Sequence, residues 1–189
     1  MAKTLSHMPE LGMQAPDFAL PDIHGKRVCR DDFASAPALL VMFICNHCPY
    51  VVHIKDKLVA IANEYSKKGV AIVAISANDV EAYPDDSPEQ MRNMALAHHF
   101  AFPYLYDETQ NVAKEYRAAC TPDFFLFDDK RRLVYRGQFD DSRPGNSVPV
   151  SGTDLRQAIE ALLQGRPISA EQKPSIGCNI KWKATHISA

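Results

Sequence analysis

An apolar run that ends at two cysteines constrains this chain more than any other feature. Residues 39–44 are all apolar, and the β-branched and aromatic side chains among them are typical of a central strand buried on both faces. From Val51 to Tyr65, apolar residues recur at steps of three and four, which predicts an amphipathic helix. We therefore expect Cys45 and Cys48 to lie where a buried strand passes into the N-terminus of a helix.

This position has a chemical consequence for a thiol. Unpaired backbone N–H groups and the positive end of the helix dipole stabilise an anion, so a thiolate forms more readily there than in water. A cysteine so placed has a pKa of roughly 3.5 to 7.5, compared with about 8.5 for a free cysteine. The sequence thus favours a reactive pair over two inert core residues.

A Cys-x-x-Cys pair either forms a reversible disulfide or binds a metal. Structural zinc sites use four ligands, usually from two such pairs, and the chain has no second pair. A pair inside a strand-helix-strand pattern favours redox chemistry. A metal site and two incidental structural cysteines are the alternatives.

Composition and charge narrow the class of protein further. The chain has 189 residues, enough for one domain with a substantial core, and its net charge of −2 gives no sign of a nucleic acid or an anionic membrane as partner. The first residues contain no apolar stretch typical of a signal peptide, and no run approaches the roughly 20 residues of a membrane span. Five cysteines, an odd number, argue against a disulfide-stapled scaffold. We expect a cytoplasmic protein.

The rest of the sequence alternates strand and helix signals. A hairpin is predicted over residues 10–33, with a turn at residues 22–26. A strand, a helix and a second strand with short links form a right-handed βαβ unit. The elements after the first helix are a buried strand at 70–76, a helix at 88–99, a short strand at 104–106, a helix from Asp107 or Thr109 to about Arg117, a strand that begins at Pro122, a returning strand at 133–137, a polar loop at 140–152, and a final helix from Thr153 to about Gly165.

Three stretches carry a resemblance to a known family: Ala15-Pro16-Asp17-Phe18, residues 43–50, and Cys120-Thr121-Pro122-Asp123-Phe124. Together with the order of elements, they resemble the thioredoxin superfamily and, more closely, its peroxiredoxin-related AhpC/TSA branch. The resemblance implies an α/β protein with a three-layer α/β/α thioredoxin-like fold, an N-terminal hairpin and an inserted helix-strand element between Ser76 and Tyr106. It implies a cis peptide at Thr121-Pro122, a thioredoxin-like domain at 1–165, and a C-terminal extension at 166–189.

The resemblance also assigns roles at the cysteine pair. Cys45 would be the attacking thiol, exposed at the helix start, and Cys48 the resolving thiol, more buried and one turn into the helix. Thr121 and Pro122 would shape the groove that receives a protein or small-molecule disulfide. An unidentified reductant would restore the dithiol, and no cofactor is expected.

Three neighbours would tune the pair: Asn46, His47 and Pro49. An imidazolium at His47 would favour a thiolate at Cys45 and make the disulfide more oxidising. A solvated His47 ring with negligible influence on the thiols is the alternative.

A thiol peroxidase is the second class of function that the resemblance allows. Peroxiredoxins have one peroxide-attacking cysteine followed by proline, with a threonine three residues earlier. Cys48-Pro49 fits that place, although Cys45 stands where the threonine would be. Such sites also use an arginine, for which Arg117 and Arg143 are candidates.

Metal binding is the third class. Cys45, Cys48, Cys120 and His47 would be the ligands, because thiolate and imidazole suit Zn²⁺ or Cu(I). Cys120 would otherwise be either a third thiol of the redox site or a buried cysteine that faces away from Thr121, since side chains alternate along a strand.

The tail beyond residue 165 has its own pattern. Apolar residues alternate with polar or small ones from Ile176 to Trp182, which predicts an extended segment with one apolar side. We expect this strip to pack on the body, anchored by Trp182, with Cys178 facing inward. Cys178 then either fills space or, if the tail covers the Cys45-Cys48 groove, serves as a second resolving thiol.

Overall fold

The computed structural model describes residues 3–184 of the chain. In chain order its elements are β1 (Lys3–Leu5), β2 (Ala19–Pro21), β3 (Arg27–Cys29), β4 (Leu39–Phe43), α1 (Pro49–Lys67), β5 (Ala71–Ser76), α2 (Pro88–Ala97), β6 (Tyr104–Tyr106), α3 (Asn111–Glu115), β7 (Cys120–Thr121), β8 (Asp123–Phe127), β9 (Leu133–Gly137), α4 (Thr153–Leu163) and β10 (Ile176–Asn179). None of the helices in this part of the chain has both the length and the apolar character needed to cross a bilayer.

A five-stranded mixed sheet forms the centre of the protein, in the order β6-β5-β4-β8-β9. Strands β4, β5 and β6 are parallel, as the predicted βαβ unit requires. Strand β8 pairs antiparallel with β4, and β9 pairs antiparallel with β8. Because successive side chains of a strand alternate, Leu40 and Met42 of β4 pack with α1, α2 and α4, whereas Val41 and Phe43 pack with α3 and the β2-β3 hairpin. The predicted three-layer α/β/α thioredoxin-like fold is confirmed.

Helix α1 begins directly at the cysteine pair. Cys48 is its N-cap and Pro49 its first residue, a position that proline tolerates because the first N–H of a helix has no partner within the helix. The apolar stripe from Val51 to Tyr65 is buried, as predicted. Gly69 has a φ of +89° just beyond the helix, which terminates it and turns the chain into β5.

Two predicted elements differ in detail. The helix after β6 begins at Asn111 rather than at Asp107 or Thr109, because residues 107–110 form a turn in which Asp107 accepts a hydrogen bond from the N–H of Gln110. The Asp107 side chain then caps the helix from outside by accepting the N–H of Ala113 at 2.8 Å. Helix α2 ends at Ala97, two residues earlier than predicted.

The tail adds a strand to a second sheet, whose order is β1-β10-β7. Cys178 and Ile180 are buried there, as the alternation predicted. The prediction that Trp182 anchors the tail is wrong, since this side chain is 42% exposed. The chain leaves the strand conformation after Asn179, so the alternation no longer directs Trp182 inward, and its ring lies under the Lys114 ammonium instead. The domain boundary at residue 165 stays a prediction.

Candidate active site

Cys45 and Cys48 lie at the carboxyl end of β4, where the central strand passes into α1. Two expectations about them are wrong. Cys45 is 1% exposed rather than accessible, and Cys48 is the N-cap rather than a residue one turn into the helix. The reason is that α1 starts only at Pro49, so residues 44–47 form a loop that carries Cys45 under neighbouring segments.

Both sulfurs meet at Thr121. Cys45 Sγ lies 3.3 Å from Thr121 Oγ1, and Cys48 Sγ lies 3.1 Å from the Thr121 carbonyl oxygen, to which it donates when it is protonated. The peptide between Thr121 and Pro122 is cis, as the resemblance implied. One residue from β7 therefore holds both thiols, and this confirms that the predicted residues come together.

The two thiols are electrostatically unequal. The pKa of Cys48 is lowered to about 5, first because the Cys45 thiol donates to it and then because the Cys178 thiol and the N–H groups of Val51 and Cys178 do so, against the effect of burial. The pKa of Cys45 is raised well above its usual value by that same hydrogen bond to Cys48, by burial and by the nearby Asp86 carboxylate. Cys48 is thus the thiolate of the cluster.

Asp86 is a site residue that the sequence analysis missed. It is fully buried, and its Oδ1 accepts the backbone N–H groups of Asn46 and His47 at 2.7 and 3.2 Å. Its Oδ2 lies 2.6 Å from Nδ1 of His47 and accepts a hydrogen bond of 2.7 Å from Asn78. The carboxylate thereby fixes both the loop between the cysteines and the imidazole ring.

One signal could have pointed to Asp86. Loops that follow neighbouring parallel strands meet at the same edge of a sheet. The loop at 77–87 follows β5, which pairs in parallel with β4, so its polar residues necessarily approach the cysteine loop. The position of Asp86 within that loop has no signature in sequence spacing.

His47 is more than a solvated side chain. Its ring is 14% exposed, stacks on Tyr83 with centroids 5.4 Å apart, and has a nitrogen within 4.8 Å of Cys45 Sγ. Nδ1 is engaged by Asp86, and Nε2 is buried without a hydrogen-bond partner among residues 3–184. Of the other predicted tuning residues, Asn46 donates to the carbonyl of Asp85 at 2.9 Å, and Pro49 starts α1.

The predicted metal ligands are only partly brought together. Cys45, His47 and Asp86 place ligand atoms within 4.8 Å of one another, but both Asp86 oxygens already accept hydrogen bonds. Cys120 donates to the carbonyl of Pro122 at 3.6 Å, and burial raises its thiol pKa, so it does not offer a thiolate. The metal site therefore stays a prediction, and the geometry adds no argument in its favour.

Neither candidate arginine contacts the thiols. Arg143 donates to the carbonyl oxygens of Asp140 and Ser142 and lines a small cavity with Pro122. Arg117 lines a surface groove beside residues 10–13. Within residues 3–184, no guanidinium is hydrogen-bonded to Cys45 or Cys48.

The predicted substrate groove at Thr121 and Pro122 is already filled. Thr121 is 2% exposed, and its strand β7 pairs with β10, which places Cys178 opposite Thr121. Burial, and after it the interaction with the Cys48 sulfur, raise the pKa of the Cys178 thiol to about 12. The tail therefore covers the cysteine pair and contributes a third thiol to it.

Comparison with known proteins gives a family match that spans the cysteine pair. The model of the AhpC/TSA family matches residues 11–136, which include β4, the cysteine pair, Thr121 and Pro122. The chain belongs to the AhpC/TSA family. One relative found by sequence and two solved structures are also similar to this chain.

A thiol-disulfide oxidoreductase ResA from Bacillus thuringiensis subsp. konkukian is 26% identical over 131 residues, which cover 66% of this chain and 68% of that protein. The crystal structure of a conserved protein from Geobacillus kaustophilus is 55% identical, with a TM-score of 0.95 over 98% of both chains. The thioredoxin domain of a thiol-disulfide oxidoreductase from Bacteroides vulgatus is 21% identical, with a TM-score of 0.57 over 68% of this chain and 88% of that one, and shows the fold alone. This AhpC/TSA member is accordingly a thioredoxin-fold oxidoreductase of the redoxin kind.

Proposed function

We propose that this AhpC/TSA protein is a thiol-disulfide oxidoreductase that cycles Cys45 and Cys48 between dithiol and disulfide. The observation that carries the proposal is that both sulfurs contact the same residue, Cys45 Sγ at 3.3 Å from Thr121 Oγ1 and Cys48 Sγ at 3.1 Å from the Thr121 carbonyl oxygen. Two cysteines held against one residue are placed to form a disulfide bond of about 2.05 Å. The names of the ResA relatives support disulfides as substrates and a thiol as reductant.

In the proposed reaction Cys48 attacks first, the reverse of the roles that the resemblance implies. Burial does not distinguish the thiols, and electrostatics favours Cys48, whose thiolate lies at the start of α1. The Cys48 thiolate displaces one sulfur of a substrate disulfide and forms a mixed disulfide. Cys45 then loses its proton, attacks Cys48 Sγ, and releases the second substrate thiolate. The substrate gains two electrons, and the cysteines become a disulfide.

His47 and Asp86 serve the second step. Cys45 attacks only as a thiolate, and its pKa is raised, so its proton needs an acceptor. When Nδ1–H of His47 donates to Asp86, Nε2 carries the free lone pair that accepts a proton. We assign His47 as the general base of the resolving step and Asp86 as the residue that positions it.

Peroxide reduction by Cys48 is the second candidate function. A buried sulfur at the N-cap of α1, directly before Pro49 and with its pKa lowered to about 5, is the observation that favours it. The cycle would transfer one peroxide oxygen to Cys48 as a sulfenic acid, release an alcohol or water, and be completed by Cys45 with loss of water.

Matched turnover assays test the proposal. With dithiothreitol as reductant, we expect the protein to reduce glutathione disulfide and a small disulfide-bonded peptide well above the uncatalysed rate. We expect peroxide consumption no faster than that of free thiols, because no guanidinium contacts Cys48 among the described residues. Peroxide turnover without disulfide turnover would overturn the assignment in favour of the peroxidase.

The reduction potential provides a second prediction. With one thiolate at Cys48 and a protonated Cys45, reduction takes up one proton per two electrons, so the potential should fall by about 30 mV per pH unit between about pH 6 and 8. Below the Cys48 pKa of about 5, two protons are taken up and the slope should steepen to about 59 mV. Equilibration with a thiol redox buffer measures it, and thiolate absorbance lost in Cys48→Ser assigns the titration. A slope near 59 mV throughout would contradict a Cys48 thiolate.

A further inference from the structure

We propose that Cys178 is a third redox thiol, which forms a disulfide with Cys48 as an alternative to the Cys45-Cys48 bond. The inference rests on the proposed function, since it requires that Cys48 accept a disulfide from substrate. It gives strand β10 a chemical role in the active site.

The geometry comes from the pairing of β10 with β7. Cys178 is opposite Thr121, the same residue whose oxygens contact both other thiols. The Cys178 side chain is 4% exposed and belongs to the same buried cluster as Cys45 and Cys48. Cys48 therefore has one potential disulfide partner in the loop before α1 and another in the tail.

The approach of β10 to the site depends on Gly177. A Cβ at this residue would lie 1.9 Å from the carbonyl oxygen of Thr121, which is 3.1 Å from Cys48 Sγ. Only glycine lets the two backbones come this close. Strand β10 therefore packs directly against the Thr121 carbonyl group that contacts Cys48 Sγ.

Strand β10 also occupies the edge of β7 at Thr121, where a substrate groove was predicted. An extended peptide that paired with Thr121 would present its own sulfur to the cysteine pair, and here the protein's tail presents Cys178 in that way. The tail thus behaves as a tethered substrate.

The chemistry balances as an ordinary thiol-disulfide exchange. The Cys48 thiolate attacks glutathione disulfide, giving the Cys48-glutathione mixed disulfide and one glutathione thiolate. The Cys178 thiol then attacks Cys48 Sγ, its proton passing to the departing second glutathione. Two electrons move from the cysteines to glutathione disulfide. Attack by Cys45 on the Cys48-Cys178 bond would convert it into Cys45-Cys48 and return the proton to Cys178.

The test removes Cys45, so that only Cys178 in the tail can resolve the mixed disulfide between Cys48 and glutathione. Cys45→Ser protein is exposed to a slight excess of glutathione disulfide, quenched with acid, alkylated and analysed by peptide mass mapping. We expect a Cys48-Cys178 disulfide, with the Cys48-glutathione adduct disappearing at least about 10-fold faster than in Cys45→Ser/Cys178→Ser protein. Cys45→Ser/Cys29→Ser protein is the matched control, because Cys29 lies in the β2-β3 hairpin, and it should behave like Cys45→Ser.

The outcomes separate this inference from the proposed function. A lasting glutathione adduct on Cys48 in Cys45→Ser protein, with no Cys48-Cys178 bond, would overturn the inference and leave Cys48 as the attacking thiol. No adduct on Cys48 in any variant would overturn the proposed function itself. If the serine at residue 178 disturbs folding, Cys178→Ala replaces it, and wild-type protein quenched early should still contain some Cys48-Cys178 peptide.

Discussion

Replacing Cys48 with Ser should abolish disulfide exchange. We expect the rate of glutathione disulfide reduction to fall by a factor on the order of 10³ or more, since the thiolate is the nucleophile and a hydroxyl does not replace it. The thiols at Cys45 and Cys178 have raised pKa values, so neither supplies a comparable thiolate at neutral pH. Stopped-flow measurement of the first exchange step, before any turnover, tests the role of Cys48 directly.

The Cys45→Ser variant should fail differently. Its first step should persist, because the serine hydroxyl can donate to Cys48 in place of the Cys45 thiol, while steady turnover slows at resolution. An unchanged first step in Cys48→Ser, together with a lost first step in Cys45→Ser, would restore Cys45 as the attacking thiol. Cys29→Ser should leave both phases unchanged.

Asp86→Ala should destabilise the reduced protein more than any other substitution in the loop at 77–87. It leaves the part-buried backbone N–H groups of Asn46 and His47, together with the buried side-chain amide of Asn78, without their acceptor. An unpaired buried donor costs about 1–3 kcal/mol and a part-buried one less, so a loss of roughly 3 kcal/mol in the free energy of unfolding is expected. Urea denaturation of the reduced protein measures it.

Two variants control that experiment. Asp85→Ala changes an exposed neighbour whose backbone carbonyl still binds Asn46, and it should cost little. Asp86→Asn keeps an oxygen for the backbone N–H groups but loses the carboxylate opposite His47, so it should retain most stability and slow the resolving step. A fully stable Asp86→Ala protein with normal turnover would show that Asp86 neither holds the loop nor positions His47.

The central fold was predictable because local patterns agreed with the tertiary structure. The apolar run before Cys45, the stripe from Val51 and the glycine at residue 69 each indicated one element, and their order left few topologies. Asp86 was not predictable in this way, because its partners are backbone N–H groups some 40 positions away and no local spacing encodes them. Its burial follows only from the folded sheet.

The exposure of the thiols was misjudged for a related reason. A Cys-x-x-Cys pair at a helix start suggested an accessible first cysteine, but the cover over Cys45 comes from remote segments, including the loop of Asp86. The alternation after Ile176 correctly placed Cys178 inside, because β10 really is a strand. It failed at Trp182, where pairing has ended and the period of two has no structural meaning.

Strand β10 lies between β1 and β7, with backbone hydrogen bonds on both sides, so it cannot swing aside without giving up both neighbours. A surface groove of about 340 Å³ is lined by Asn46, His47 and Asp85, in the loops beside the cysteine pair. The middle strand of a minor sheet thus closes the β7 edge to any extended peptide that would otherwise pair with Thr121.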